Sequence, residues 1–89
     1  VKLYIVTCQK LSKKQQFVQG THAALEYSRE HGLDRHPILV MLQSSDIKFI
    51  KEQIKTYRHS EFRDSYYGHR LTAVASMDIG EIVKDLRLI

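Results

Sequence analysis

The stretch Lys10–Glu30, KLSKKQQFVQGTHAALEYSRE, decides the fold, because the segments before and after it take their places from one long helix. Ser12 followed three residues later by Gln15 has the spacing of a capping box, in which each side chain takes up a backbone N–H that the first helical turn leaves without a partner. The pattern predicts a helix starting near Lys13. Phe17, Val18, Ala24 and Leu25 recur at helical spacing and predict one flank against a core. Gln15, Gln19, His22 and Glu26 follow at steps of 4, 3 and 4, lining up two amides, an imidazole and a carboxylate on the other flank. Lys13 and Lys14 stand at the helix start, where the dipole already supplies roughly half a positive charge. Such a tip suits an anion. Gly20 in mid-helix costs about 1 kcal/mol against alanine, a placement tolerated where another backbone or a ligand comes close. Spacing alone leaves His22 two roles, a boundary residue bonded to water or a carbonyl, or a working imidazole.

Outward from this helix the chain reads as strands buried on both faces. Lys2–Thr7, KLYIVT, is rich in β-branched and aromatic residues, and Ile38–Gln43, ILVMLQ, is a continuous apolar run. Gly32 is a C-cap, and His36–Pro37 opens an extended segment because the residue before proline avoids the helical region. A strand, a long helix and another buried strand predict a parallel pair joined by a right-handed crossover. Ser44 or Ser45 is placed to cap a second helix, Asp46–Arg58, which buries Ile47, Ile50, Ile54 and Tyr57 and presents Lys48, Lys51, Lys55 and Arg58 as a basic stripe on its other side. Ser60–Asp64 and Leu71–Met77 read as an antiparallel hairpin around the turn-prone Ser65–Arg70. Asp78 and Glu81 have capping-box spacing for a last helix over Ile79–Asp85. The order is β-α-β-α-β-β-α, an α/β fold.

With 89 residues, one proline and no Ser- or Gly-rich tract, the chain holds one domain, residues 1–89. A hydrophobic share of 43% suffices for a small core without disulfides. Cys8 is the single cysteine and reads as a small buried residue of a reducing compartment. No apolar run nears the roughly 20 residues of a membrane span and no leader pattern is present, so a cytoplasmic protein away from membranes is expected. Val1 stands where an initiator methionine would, as a trimmed or fragmentary start leaves it. A formal charge of +4 favours anionic partners such as nucleic acid. Oligomeric state is not legible, and a homodimer stays open.

The sequence has no Gly-rich phosphate loop, CxxC or HExxH, so nucleotide kinase, zinc-finger and zincin readings find no support, and neither a cofactor nor a metal is expected. A Cys8–His22 nucleophilic pair needs a partly exposed thiolate, whereas the run around Cys8 predicts burial. His22 with Asp64 is the more economical pair. In a parallel α/β sheet functional groups gather beyond the carboxyl ends of strands and at adjoining helix N-termini. Asp64 closes the third strand while Lys13–His22 follows the first, so the two converge. An imidazole activating water and a carboxylate orienting it suit ester hydrolysis, with lysines and helix-start amides for an oxyanion or a phosphate. As a turn former, Asp64 would instead bond its own backbone.

These residues carry a resemblance. KLYIVT, Gln19-Gly20-Thr21-His22-Ala23-Ala24, Phe62-Arg63-Asp64, Leu71-Thr72-Ala73 and Ile82-Val83-Lys84-Asp85-Leu86-Arg87-Leu88-Ile89 resemble, in this order and over nearly the whole chain, the type 2 peptidyl-tRNA hydrolase family. Gln19 and His22 fall on its Q-x-x-H-A motif, Asp64 on the aspartate of its R-D or Q-D turn, and Thr72 on the threonine of its last strand. The resemblance implies a three-layer α/β/α sandwich with a four-stranded mixed sheet whose last strand is antiparallel to the others. It implies hydrolysis of peptidyl-tRNA in translation, with His22 and Asp64 catalytic, Lys13, Lys14, Gln15 and Gln19 holding the tRNA end, and Thr72 supporting the site. The chain departs from the family at Gln15 and Cys8, where the family has lysine and aspartate, and at Ser76–Met77, where it has Gly-Pro. A non-catalytic member of this fold that binds RNA or protein is the alternative.

Overall fold

Alternation along the first strand, β1 (Lys2–Cys8), sets the two faces of the sheet. In the computed structural model, which describes residues 1–33 and 35–89, Leu3 and Ile5 pack on one side with Ala73, Ala75, Ala23 and Tyr27. Val6 packs on the other with Leu42, Leu71, Val74, Ile47, Ile50, Ile54, Ile79 and Val83. The first core lies under α1 (Lys13–His31), and the second under α2 (Ile47–Ile54) and α3 (Gly80–Val83).

One mixed sheet of five strands runs in the order β3 (Ser60–Asp64), β4 (Arg70–Ser76), β1, β2 (Ile38–Ser44), β5 (Arg87–Leu88). β1 and β2 are parallel, from Lys2 opposite Ile38 to Cys8 opposite Ser44, as the strand–helix–strand pattern predicts. β4 is antiparallel to both β1 and β3. The fifth strand corrects the expected count of four. β5 pairs with β2 at Leu42–Leu88 and Gln43–Arg87, and two residues carry too little alternation to be read as a strand.

The long helix forms where expected but turns a different face inward. Ser12 caps it, its hydroxyl accepting from the Gln15 N–H at 3.2 Å, and Gly32 ends it at φ 77°, donating its N–H to Ser28 O. Gln16, Gln19, Gly20, Ala23 and Tyr27 are buried, while Phe17, Val18 and Leu25 are 46%, 40% and 61% exposed. The cause is local. A β-carbon on Gly20 would collide with the Met41 methyl and sit 3.1 Å and 3.2 Å from methyls of Ile5 and Thr7, so the glycine lets the helix lie this close to the sheet without displacing them. Gln16 tolerates burial because the Thr7 hydroxyl donates to its Oε1 at 2.9 Å and its Nε2 donates to Leu11 O at 2.9 Å. A stripe of small and satisfied polar residues therefore packs against the sheet, where apolarity alone assigned the opposite flank.

Three further expectations change. α2 is capped by Asp46, whose Oδ1 accepts from Phe49 N–H at 3.0 Å, and neither Ser44 nor Ser45 takes that part. It stops at Ile54, leaving Tyr57 outside the helix and 43% exposed while Ile47, Ile50 and Ile54 are buried as predicted. The Asp78–Glu81 box does not form, because the cap position of the four-residue α3 is the fully buried Ile79. β2 is covered on both faces only over its later part, where Val40 and Leu42 pack into one core and Met41 against the other. α1 lies across β1, β4 and β3, and Ile38 and Leu39 are 61% and 52% exposed. No helix among the described residues is long and apolar enough to cross a membrane.

Candidate functional site

A β-bulge builds the centre of the site. Phe62 pairs with Ala73 but Arg63 pairs with Leu71, so β4 carries one extra residue, Thr72, between them. Such a bulge re-aims a side chain. Leu71 joins the core beneath α2, and Thr72 turns toward α1, where its hydroxyl donates to Gln19 Oε1 at 2.5 Å. Gln19 Nε2 donates in turn to Asp64 Oδ2 at 2.7 Å. Thr72 and Gln19 are 4% and 1% exposed, so this chain of hydrogen bonds is sheltered from water until it reaches the carboxylate. The amide orientation follows, because Gln19 Oε1 must face the hydroxyl and its NH₂ the carboxylate.

Asp64 does both of the things the sequence left open. Its Oδ1 accepts from the Tyr66 N–H at 2.9 Å, capping the 3₁₀ turn Ser65–Tyr67, and its Oδ2 reaches across to α1. The Gln19 amide, and after it the Tyr66 N–H, hold the Asp64 carboxyl below the usual carboxylate range, with a smaller pull from the imidazoles of His22 and His69 against partial desolvation. The carboxylate is therefore ionised at neutral pH.

His22 lies one helical turn beyond Gln19, exposed, and stacked on Phe62 with ring centroids 4.6 Å apart and planes 15° from parallel. Period-two alternation puts Phe62 and Asp64 on the same face of β3, so the ring that carries the imidazole and the carboxylate beside it come from one strand. His22 and Asp64 share no hydrogen bond among the described residues. The imidazole thus has a fixed plane and a neighbouring negative charge, and both its nitrogens remain open to a water or a substrate.

The remaining expected residues divide. Gln19, Thr72 and Asp64 meet directly and His22 adjoins them. Lys13 and Lys14 are exposed at the tip of α1. From Lys13 to His22 the helix rises about 13 Å, farther than a lysine side chain reaches, so the tip does not extend to an oxyanion beside His22. Gln15 is half-buried, one turn before Gln19, with its N–H taken by Ser12. Cys8 lies on the sheet face opposite Phe62 and does not meet His22; it is half-buried rather than enclosed. The basic stripe of α2 is broken up. Lys51 pairs with Glu61 at 3.7 Å and Lys55 with Glu52 at 3.3 Å, while Arg58 lies at the other end of the sheet beside Tyr27 and His31.

Sequence reasoning missed a cleft of about 650 Å³ beyond the carboxyl ends of β1 and β2. Lys10, Lys48, Arg63, His69 and Arg70 line it with Cys8, and its one carboxylate, Asp46, is occupied as the cap of α2. These side chains come from four separate segments, so no run of sequence displays them together; Arg63 also pairs with Glu61 at 3.4 Å. It also missed Phe62 as the partner of His22, for which strand alternation was the available signal. Among the described residues no cluster of His, Cys, Asp and Glu has the make-up of a metal site. Neither a protein-family model nor a curated protein sequence matches the chain.

Proposed function

We propose that this protein hydrolyses the ester joining a peptide to the terminal ribose of tRNA. The observation that carries the reading is the Thr72–Gln19–Asp64 chain ending beside the stacked His22. These are the four residues on which the resemblance to type 2 peptidyl-tRNA hydrolases concentrates, and they bring α1 together with a hairpin remote from it in sequence. In this reading His22 takes a proton from a water as it attacks the ester carbonyl, and the C–O bond to the ribose breaks. The proton passes to the departing ribose oxygen, leaving a peptide carboxylate and free tRNA. Ionised Asp64 steadies the imidazolium that forms, and Gln19, oriented by Thr72, keeps the carboxylate in place. Lys13 and Lys14 hold phosphate at the tRNA end. Cores on both faces of the sheet support the three-layer α/β/α arrangement that goes with this family, and a basic protein with no membrane-crossing helix among its described residues fits work in the cytoplasm.

A second reading, a member of the same fold that binds RNA without cleaving it, is favoured by one specific feature. Gln15 stands where the family has a lysine, and the nearest lysines, Lys13 and Lys14, lie at the helix tip rather than beside His22. Turnover of a blocked aminoacyl-tRNA separates the two. Cleavage by the parent that is lost in His22→Ala supports hydrolysis, whereas tight binding with no cleavage by the parent supports the second reading.

A further inference from the structure

The hairpin turn that carries Asp64 also carries an aromatic ring with no structural task. Tyr66 is 85% exposed, the most exposed large apolar side chain of the described residues. It is nevertheless fixed in position. Its N–H is bonded to Asp64 Oδ1, and its ring meets Tyr67 edge-on, centroids 5.1 Å apart and planes at 87°. An edge-on contact leaves at least one face of Tyr66 free. The turn itself is locked, with Gly68 N–H bonded to Ser65 O at 3.1 Å, His69 N–H to Asp64 O at 2.9 Å, and two successive left-handed residues, Gly68 and His69, at φ 68° and 61°.

The far side of the same turn is basic. Gly68, His69 and Arg70 wall the cleft that Lys10, Lys48 and Arg63 complete, so the hairpin separates His22 and Asp64 from a concentration of positive charge. A free aromatic face beside a basic groove is the arrangement with which proteins hold single-stranded nucleic acid, bases on the ring and phosphates in the groove. A peptide would gain from the ring but not from a cleft whose one lining carboxylate caps α2 and whose charge comes from Lys10, Lys48 and Arg70, with Arg63 shared with Glu61 at 3.4 Å.

We propose that Tyr66 stacks an unpaired base at the 3′ end of an RNA, while the cleft of Lys10, Lys48, Arg63, His69 and Arg70 holds the phosphates that precede it. The inference rests on the proposed tRNA substrate, and it names a positioning residue for that substrate.

The test uses the full chain and a short single-stranded RNA ending in CCA with 2-aminopurine as the last base. Stacking on Tyr66 quenches the fluorophore. Tyr66→Phe should retain the quenching and the affinity. Tyr66→Leu should lose the quenching and about 5- to 150-fold in affinity, the range of one base–aromatic stack, with unchanged melting because the side chain is exposed. Lys48→Gln with Arg70→Gln should lower the log–log salt slope by roughly 0.7 per phosphate released. On a blocked aminoacyl-tRNA, Tyr66→Leu should raise KM and leave kcat nearly unchanged. If Tyr66→Leu quenches and binds as the parent does, the inference is overturned even where the parent cleaves. If the parent never cleaves but quenching is present and vanishes in Tyr66→Leu, the inference stands and the hydrolase reading falls.

Discussion

Replacing Thr72 by valine tests whether the polar chain behind Asp64 is a structural unit. The change keeps the shape of the side chain and its β-branch while deleting the hydroxyl that donates to Gln19 Oε1. Gln19 is 1% exposed, so its carbonyl oxygen would be stranded away from water. An unsatisfied buried acceptor costs about 1–3 kcal/mol. For a chain of this size each kcal/mol corresponds to roughly 4–8 °C in melting temperature, so a cost of about 2 kcal/mol lowers Tm by roughly 8–16 °C. Gln19→Leu in the same background removes the stranded oxygen and should recover much of that loss. The double variant is then less destabilised than the sum of the singles by about 1 kcal/mol or more. Urea unfolding of the parent, both singles and the double gives the cycle, provided m is unchanged across the set. Additivity within about 0.5 kcal/mol would refute the coupling.

Gly20→Val should destabilise by about 1–3 kcal/mol through overpacking, because the space at Gly20 is bounded by methyls of Ile5 and Thr7 at 3.1 Å and 3.2 Å; an unchanged urea midpoint would contradict the close approach. Asp64 has its carboxyl pKa depressed by the Gln19 amide and the Tyr66 N–H, so its contribution to stability is present above the unfolded carboxylate pKa and is lost as pH falls through the lower folded value. Gln19→Leu should move the Asp64 titration upward in carboxyl-carbon NMR, and an unmoved titration would remove Gln19 as the cause. Lys51→Gln with Lys55→Gln should leave the salt slope of tRNA binding nearly unchanged, because both lysines already pair with glutamates. Lys48→Gln with Lys10→Gln should flatten it by roughly 0.7 for each single-strand phosphate that is no longer neutralised, and the reverse ranking would return the binding surface to α2.

The parallel pairing of β1 with β2, the hairpin of β3 with β4 and the helix that crosses the sheet were legible because they follow from local signals. Ser12, Gly32 and Pro37 punctuate the chain, and the runs around Ile5 and Val40 are too apolar to be anything but strands. The buried face of α1 was not legible, since Gln16 and Gln19 look polar until Thr7, Thr72 and Asp64 are seen to satisfy them. Asp64 was reached from its place at the end of the third strand and Thr72 through the resemblance, but the bulge that aims Thr72 depends on how two strands pair and has no mark of its own in the sequence. The basic cleft was hidden for the same reason. Lys10, Lys48 and Arg70 are gathered by the topology, whereas the Lys48–Arg58 stripe that stood out by spacing is largely neutralised by Glu52 and Glu61.

The central claim is tested most directly by incubating the protein with N-blocked aminoacyl-tRNA and following release of the blocked amino acid, with His22→Ala and Asp64→Asn run alongside. The parent should turn over, and each variant should lose about 10²-fold or more in kcat, the share of a positioned acid–base group, with His22→Ala, whose side chain is exposed, retaining the parent's melting temperature within a few degrees. A parent that binds the tRNA but releases nothing, or variants that cleave as fast as the parent, would contradict it.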